Sequence, residues 1–244
     1  MNSTDINFKF NPQEDRITID QNGNFTIYEN EGCKQILENI KKFIDEEIIN
    51  NKDHLVIIGR PGCGKSIGLL YSQLKLKEQK QDYFVIHVHD SKNLYPSGYN
   101  YVIGSIISCF NLYLNGDKNE EISENLYFEL VETYSKSNKK KLLELKELFK
   151  KICNLNNDVK FVLFWDQIHC VAEMCKSDVT RIYDTFIGSP FFDRVVLCSS
   201  INDNSIRKYG STKFYEHDYQ YDENLTKYII KEKLADSKFK NIKN

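Results

Sequence analysis

The 244-residue sequence has almost no excess charge of either sign, because 33 lysines and arginines stand against 35 aspartates and glutamates. The formal net charge of −2 gives no overall attraction to nucleic acid or acidic lipid, although a local basic face is compatible with it. No apolar run approaches the ~20 residues that a membrane-spanning helix needs. The N-terminus is polar and charged, unlike a signal peptide. We therefore expect a cytoplasmic or nuclear protein without a membrane partner.

The cysteines form no CxxC pair, and their total of seven is odd. Neither a disulfide framework nor a zinc site is therefore indicated. The simplest interpretation is a set of reduced, mostly buried thiols in a cytosolic or nuclear protein. With 41% hydrophobic residues, the chain is long enough and apolar enough to bury a core.

Strand and helix patterns alternate along the chain. Alternation around Asn22-Gly23 predicts a β-hairpin, and an amphipathic helix follows it. Short apolar runs then predict buried parallel strands, each separated from the next by helices, over 54–59, 82–90, 159–169 and 193–203. The predicted fold is therefore α/β, with a mainly parallel sheet flanked by helices, an N-terminal β-hairpin and a helical insertion.

We predict three regions. Residues 1–15 are a flexible lead-in, and 16–210 form one domain with the helical insertion over about 96–158. Residues 211–244 form a C-terminal helical tail. The alternative is that this tail is a truncated linker to a missing domain.

The segment Gly59 to Ser66, "GRPGCGKS", fits the phosphate-loop pattern G-x-x-x-x-G-K-[ST]. Its glycines let the backbone approach an anion, and successive N–H groups form a nest at the start of the next helix. Lys65 would reach the β- and γ-phosphates, and Ser66 would ligate Mg²⁺. We expect the nucleotide to contact Gly59, Arg60, Pro61, Gly62, Cys63, Gly64, Lys65, Ser66 and Ile67.

An acid follows the apolar strand "FVLFWD", where a phosphate-loop site needs a carboxylate for the metal. We expect Asp166 to hold Mg²⁺ together with Ser66. The alternative is an ordinary strand-end aspartate that starts a turn. Asp90, which ends the strand "FVIHVHD", is a second carboxylate candidate for the same site.

Sequence motifs typical of GTPases and nucleotide kinases are not evident, and this indicates which nucleotide is bound. There is no N-K-x-D motif after the middle of the sheet and no D-x-x-G after the acid strand, which favours ATP over GTP. Only five arginines are present, so the arginine-rich lid of a nucleotide kinase is not evident. The long spacing from the loop to Asp166 fits the additional-strand ATPases, in which another strand lies between the two.

In that class the intervening strand presents a polar side chain to the γ-phosphate. Ser199, Ser200 and Asn202 are the candidates, and ordinary strand-end polarity explains them equally well. Arg194 and Arg207 are candidate arginine fingers in a homo-oligomer, with surface ion pairing as the alternative. Tyr28 and Ile36 are candidates for adenine contact.

Gln167 stands where additional-strand ATPases usually have a glutamate that activates water. An amide cannot accept a proton, which predicts slow hydrolysis. The alternative is that Gln167 orients water, as the glutamine of a GTPase does.

The strings "GRPGCGKS", "FVLFWDQIH" and "VVLCSSINDNS" together resemble the NTPase module of Crinkler–RHS (retrotransposon hot spot-like) effector proteins, which are AAA+-like P-loop ATPases of eukaryotic pathogens and symbionts. The resemblance covers about 30–210. It implies a nucleotide-driven module joined to a C-terminal toxic domain, often nuclease-like, that acts in a host nucleus. This sequence departs from that plan, because little follows residue 210 and no nuclease-type cluster is evident. Nucleic-acid binding is therefore expected only through a missing domain or by family resemblance, and DNA cleavage is not predicted for these residues.

The sequence thus predicts a Mg²⁺-dependent ATPase with low turnover, with Lys65, Asp166, Gln167, Asp90, Asn202 and Arg207 as the catalytic candidates. A non-hydrolysing switch that assembles with nucleotide and a small-molecule kinase remain alternatives.

Overall fold

The computed structural model describes residues 17–19, 25–27, 30–46, 53–78, 82–88, 98–114, 120–168, 184–200 and 212–218. Near the N-terminus, strands β1 (Ile17–Ile19) and β2 (Phe25–Ile27) pair antiparallel, with Ile17 opposite Ile27. This pairing confirms the predicted strands, while the Asn22-Gly23 turn lies outside the described residues.

Helix α1 (Glu31–Asp45) begins at the N-cap residue Asn30, whose side chain accepts a 2.9 Å hydrogen bond from the Cys33 N–H. Its apolar side chains recur three and four residues apart, so they share one buried face. Helix α2 (Lys65–Lys77) packs beside α1. The two helices cover one face of the main sheet, where they share a buried cluster with alternate strand residues.

The main sheet has five parallel strands in the order β4-β5-β6-β3-β7. Four of them match predicted strands, and their bounds are β3 (His54–Gly59), β4 (Tyr83–Val88), β5 (Lys160–Trp165) and β6 (Arg194–Ser200). These strands are almost wholly apolar because both faces of the sheet are covered. Strand β6 lies between β3 and β5, which confirms the expected intervening strand.

The fifth strand, β7 (Thr212–Glu216), corrects the sequence analysis. It pairs in parallel with β3 and forms the edge of the main sheet, whereas the sequence analysis assigned it to a helical tail. The sheet therefore continues past residue 210. The helix predicted near the C-terminus lies outside the described residues.

Three helices cover the other face of the sheet: α3 (Gly98–Leu114), α4 (Glu120–Ser135) and α5 (Lys139–Ile152). They confirm the helices predicted within 96–158. Stacked and edge-on aromatic rings fill the space beneath them, including Phe110 against Phe149 and Phe149 against Phe191. Among the described residues, none of the helices combines the length and apolarity needed to cross a bilayer.

Parallel strands bring their carboxyl ends to one edge of the sheet, where ligands of open α/β folds bind. At this edge, β3 leads through a glycine-rich loop into α2, and β5, which β6 separates from β3, is followed by an acid. This arrangement is the α/β P-loop NTPase fold.

Candidate phosphate-binding site

The loop between β3 and α2 has the backbone of an anion nest. Gly62 and Gly64 adopt positive φ angles of 81° and 99°, which non-glycine residues rarely take. The Cys63 N–H donates to the Arg60 carbonyl at 3.3 Å, which closes a tight turn with Pro61 and Gly62 at its centre. Gly64 is the N-cap of α2 and provides no side-chain cap. The first N–H groups of α2 therefore lie at the loop without an intrahelical partner, as an anion site requires.

Lys65 reaches back across this loop. Its Nζ donates to the carbonyl oxygens of Gly59 at 2.8 Å and Arg60 at 2.9 Å, and lies 3.6 Å from the Cys63 Sγ. The ammonium group is therefore held at the mouth of the loop by neutral carbonyl acceptors, which a negatively charged phosphate oxygen can replace with a stronger bond between opposite charges.

The other residues expected to contact the nucleotide differ in their exposure to solvent. Arg60, Pro61 and Gly62 are exposed, and Ser66 is partly exposed in the first turn of α2. Ile67 is buried in a cluster under α2, so its side chain cannot contact a nucleotide and only its backbone N–H is suited to binding.

Asp166 lies directly after β5 and is only 4% exposed. Its N–H donates to the Val88 carbonyl at 3.0 Å, and its Oδ1 accepts from the Gln167 N–H at 2.8 Å. The ladder pairs Trp165 with Leu197, so Asp166 lies level with Cys198 on β6. Cys198 in turn pairs with Ile57, close to the end of β3.

The buried Cys198 thiol marks where the loop and the acid converge. Its burial, together with the negative charge of Asp166, raises the pKa of Cys198 well above its usual range, while the Lys65 ammonium acts in the opposite direction. Cys198 is therefore a neutral thiol that feels both the loop lysine and the acid of β5. These influences agree with the strand register, which brings the phosphate loop and Asp166 to the same edge of the sheet.

The donor set fits a hard divalent cation. Ser66 provides a hydroxyl oxygen and Asp166 a carboxylate, and Mg²⁺ prefers oxygen ligands of this kind. Within the described part of the chain, no group of three or more His, Cys, Asp or Glu residues forms a metal cage. This is compatible with Mg²⁺, which usually takes one or two protein ligands and completes its shell with water and substrate phosphate.

Gln167 has a φ angle of 51°, one of three positive values at non-glycine positions among the described residues. A backbone in this region costs about 1–3 kcal/mol, and such strain concentrates at functional sites. Its N–H holds the Asp166 carboxylate, so the strained residue lies beside the metal-binding candidate.

At the end of β6, Ser199 pairs with Ile58 and Ser200 pairs with Gly59. Both serines are thereby brought to the phosphate loop, as an intervening strand should bring them. Ser199 is buried and Ser200 partly exposed. Four other candidates, Tyr28, Asp90, Asn202 and Arg207, lie outside the described residues.

Two sequence predictions for this site are wrong. Arg194 begins β6 at the opposite edge of the sheet, is 6% exposed and donates to the backbone carbonyls of Phe43, Glu46 and Asp193. It ties the end of α1 to the sheet and cannot serve as an arginine finger. Ile36 is fully buried against α2, with its Cδ1 2.3 Å from the position that a Cβ on Gly68 would take, so it cannot contact adenine.

Sequence reasoning missed His217, which follows β7. Its backbone N–H donates to the Ile58 carbonyl at 2.7 Å, and its Nε2 lies 3.2 Å from the Cys63 carbonyl oxygen inside the phosphate loop. The residue is 1% exposed. No local signal identified it, because the contact joins residues 154 positions apart.

The chain was compared with family models, curated proteins and solved structures. No protein-family model matches the chain, and no curated protein matches it. Among solved structures, the Drosophila origin recognition complex bound to DNA is 16% identical with a TM-score of 0.41, over 84% of this chain and 46% of that one. The chain therefore spans less than half of the Drosophila chain.

Two further structures have similar scores. An ATP-binding cassette dimer in a post-hydrolysis state with ADP and phosphate is 13% identical with a TM-score of 0.40, over 73% of this chain and 88% of that one. The Pif1 helicase of Candida albicans is 13% identical with a TM-score of 0.36, and the match covers 80% of this chain and 41% of that one. Because these scores are low, the fold assignment rests on the strand order and the loop, and the neighbours carry no argument about activity.

Proposed function

We propose that this protein binds ATP with Mg²⁺ at the carboxyl edge of its main sheet and hydrolyses the nucleotide slowly. The observation that carries the proposal is the loop between β3 and α2, with Gly62 and Gly64 at positive φ and the Lys65 ammonium held across it. A nest of N–H groups, a helix N-terminus and a fixed cation together suit the polyphosphate of a nucleotide.

Phosphate binding would exchange the partners of Lys65. The ammonium leaves the neutral carbonyls of Gly59 and Arg60 and bonds to β- and γ-phosphate oxygens. A phosphate oxygen carries a negative charge that the carbonyl oxygens lack, so the ammonium binds it more strongly and the exchange favours the bound state. Ser66 and Asp166 would hold the Mg²⁺, which neutralises phosphate charge when bound.

Slow turnover follows from the chemistry of Gln167. A carboxylate general base at this position accelerates such reactions by about 10²–10⁴-fold, and an amide cannot take the proton. The Gln167 amide can still orient a water molecule. A non-hydrolysing, nucleotide-dependent switch is therefore the second candidate function, and the same residue favours it.

The wider role remains a proposal from resemblance. The three motifs that resemble Crinkler–RHS effectors suggest a regulatory or assembly module, and β6 carries two of the matching residues, Ser199 and Ser200, at its end. Asn202 facing the γ-phosphate, Asp90 as a second carboxylate and Arg207 acting in a neighbouring copy belong to the same proposal.

The binding experiment compares Lys65→Ala with Lys75→Ala by titration calorimetry with ATP and Mg²⁺. Lys75 lies in the last turn of the same helix and is partly exposed, and its Nζ lies 3.2 Å from the Glu78 carboxylate and 5.9 Å from the centre of the Tyr71 ring. We expect Lys65→Ala to weaken ATP binding by about 2–3 kcal/mol, or ~30- to ~150-fold, and Lys75→Ala to leave it unchanged. Equal affinity of Lys65→Ala and the wild type would refute the proposed site.

The turnover experiment measures phosphate release by Gln167→Glu and Gln167→Ala. A glutamate adds the missing general base, so we expect at least a several-fold increase with little change in ATP affinity. Gln167→Ala should change the rate little. If both variants are inactive while the wild type turns over, the native amide is catalytic and our interpretation of slow hydrolysis is wrong.

A further inference from the structure

His217 connects the edge strand to the phosphate loop through a directional bond. The Cys63 carbonyl oxygen can only accept, so the ring nitrogen 3.2 Å from it, Nε2, carries the proton and donates. In a neutral ring the other nitrogen is then an acceptor, and Nδ1 lies 3.4 Å from the Tyr215 hydroxyl, which can donate to it. The order of donation is therefore Tyr215 to His217 to the loop.

The surroundings favour this neutral state. Burial is the largest influence on the pKa of His217 and lowers it, and the Lys65 ammonium lowers it further. The bond to Cys63 and the charge of Asp218 act in the opposite direction. The outcome is a pKa below its usual value, so one ring tautomer is kept at neutral pH.

The consequence for the loop follows from the planarity of the peptide bond. In a trans peptide the carbonyl of residue 63 and the N–H of residue 64 point in opposite directions. A bond that holds the Cys63 carbonyl toward His217 and β7 therefore turns the Gly64 N–H away from β7. Gly64 is the N-cap of α2, where N–H groups bind phosphate.

We propose that His217 is a positioning residue for nucleotide binding, because it fixes the Cys63–Gly64 peptide so that the Gly64 N–H faces the phosphates. This inference rests on the proposed function. The pairing of β7 with β3 does not depend on the ring, since it extends through Glu216 opposite Ile58 and the backbone N–H of His217 continues it. The ring thus makes a separate connection, from the edge strand to the loop.

A matched pair of variants separates the donor from the bulk of the side chain. His217→Gln retains an amide donor at the distance of Nε2 from the backbone, whereas His217→Asn is polar but one methylene too short to reach Cys63. We expect calorimetry to show ATP binding about five- to tenfold weaker for His217→Asn, the value of one hydrogen bond, and within about twofold of the wild type for His217→Gln. Rescue by the longer amide would support positioning.

An NMR measurement reads the proposed bond directly. Cys63-Gly64 is the one Cys-Gly pair in the sequence. Labelling cysteine with ¹³C at the carbonyl and glycine with ¹⁵N therefore selects the single Gly64 amide. We expect ATP with Mg²⁺ to shift its proton downfield in the wild type and His217→Gln, with a clearly smaller shift in His217→Asn.

The outcomes distinguish this inference from the function on which it rests. If the wild type does not bind ATP, both are overturned. If the wild type and His217→Asn bind ATP equally with the same Gly64 shift, only the role of His217 is overturned. Should His217→Asn fail to fold, the ¹⁵N shifts of the wild-type His217 ring decide: protonated Nε2 supports the inference, and bare Nε2 overturns it, since it cannot donate to a carbonyl.

Discussion

Three glycine-to-alanine substitutions separate two physical reasons for glycine in this chain. At Gly59 an added Cβ would lie 2.2 Å from the backbone oxygen of His217 and 2.9 Å from the Cys63 Sγ. At Gly62 it would meet nothing within 4 Å, but the φ angle is +81°. At Gly104, inside α3, neither problem is present. Each variant adds the same single methyl group, so the differences report the local structure.

Gly59→Ala should be the most destabilising of the three. An ordinary contact of 3.4 Å requires the His217 carbonyl oxygen to move away by 3.4 − 2.2 = 1.2 Å. The backbone of His217 resists this movement, because its N–H is hydrogen-bonded to the Ile58 carbonyl. Overpacking of this kind costs about 1–3 kcal/mol, and a weakened hydrogen bond adds about 1 kcal/mol. Alanine also lowers the conformational entropy of the unfolded chain, which stabilises the folded state by about 0.4–1 kcal/mol. The net loss is about 2–3 kcal/mol.

The other two variants have smaller expected effects. A left-handed backbone costs alanine about 1–2 kcal/mol, and the unfolded-state gain reduces the net loss for Gly62→Ala to about 1 kcal/mol. Gly104→Ala should stabilise the protein by about 1 kcal/mol through helix propensity.

Thermal unfolding without nucleotide is the appropriate assay, since bound ligand would raise each melting temperature by mass action. At about 2–4 °C per kcal/mol for a chain of this length, Gly59→Ala should melt about 4–12 °C below the wild type. Gly62→Ala should melt about 2–4 °C below it and Gly104→Ala about 2–4 °C above it. A Gly59→Ala variant as stable as Gly62→Ala would refute the close approach of His217 to the loop.

Two further predictions concern buried charged and titratable groups. Because the pKa of His217 is lowered in the folded state, its stabilising contribution is complete above the unfolded pKa of 6.5 and is lost as the pH falls through the folded value. The wild type should therefore lose more stability between pH 7.5 and pH 5.5 than His217→Gln in denaturant titrations at both pH values, and equal losses would contradict this assignment. Arg194→Met should lower the free energy of unfolding by about 2–3 kcal/mol, because it removes charged donors from three backbone carbonyls, yet leave ATP affinity unchanged in calorimetry. A stable Arg194→Met variant that loses ATP binding would instead show that Arg194 takes part in nucleotide binding.

Local sequence determined much of the fold and the centre of the candidate site. The phosphate loop is recognisable because its function depends on contiguous residues: glycines for the backbone angles, then Lys65 and Ser66 at the start of a helix. Strand β5 and its terminal Asp166 were predictable for a similar reason, since a strand buried on both faces is apolar throughout. The apolar run after Asp166 also predicted β6, the strand that lies between β3 and β5 in the sheet.

Tertiary structure alone decided the features that join distant residues. Strand β7 escaped prediction because an edge strand is covered only in part: its Phe214 is 44% exposed, and the segment "TKFYE" has no apolar run. Arg194 beside the end of α1 and His217 beside Cys63 are contacts across 151 and 154 positions. No local pattern encodes such pairs, because they depend on which strands become neighbours in the sheet. Once β7 pairs with β3, the same register that extends the sheet brings His217 against the phosphate loop.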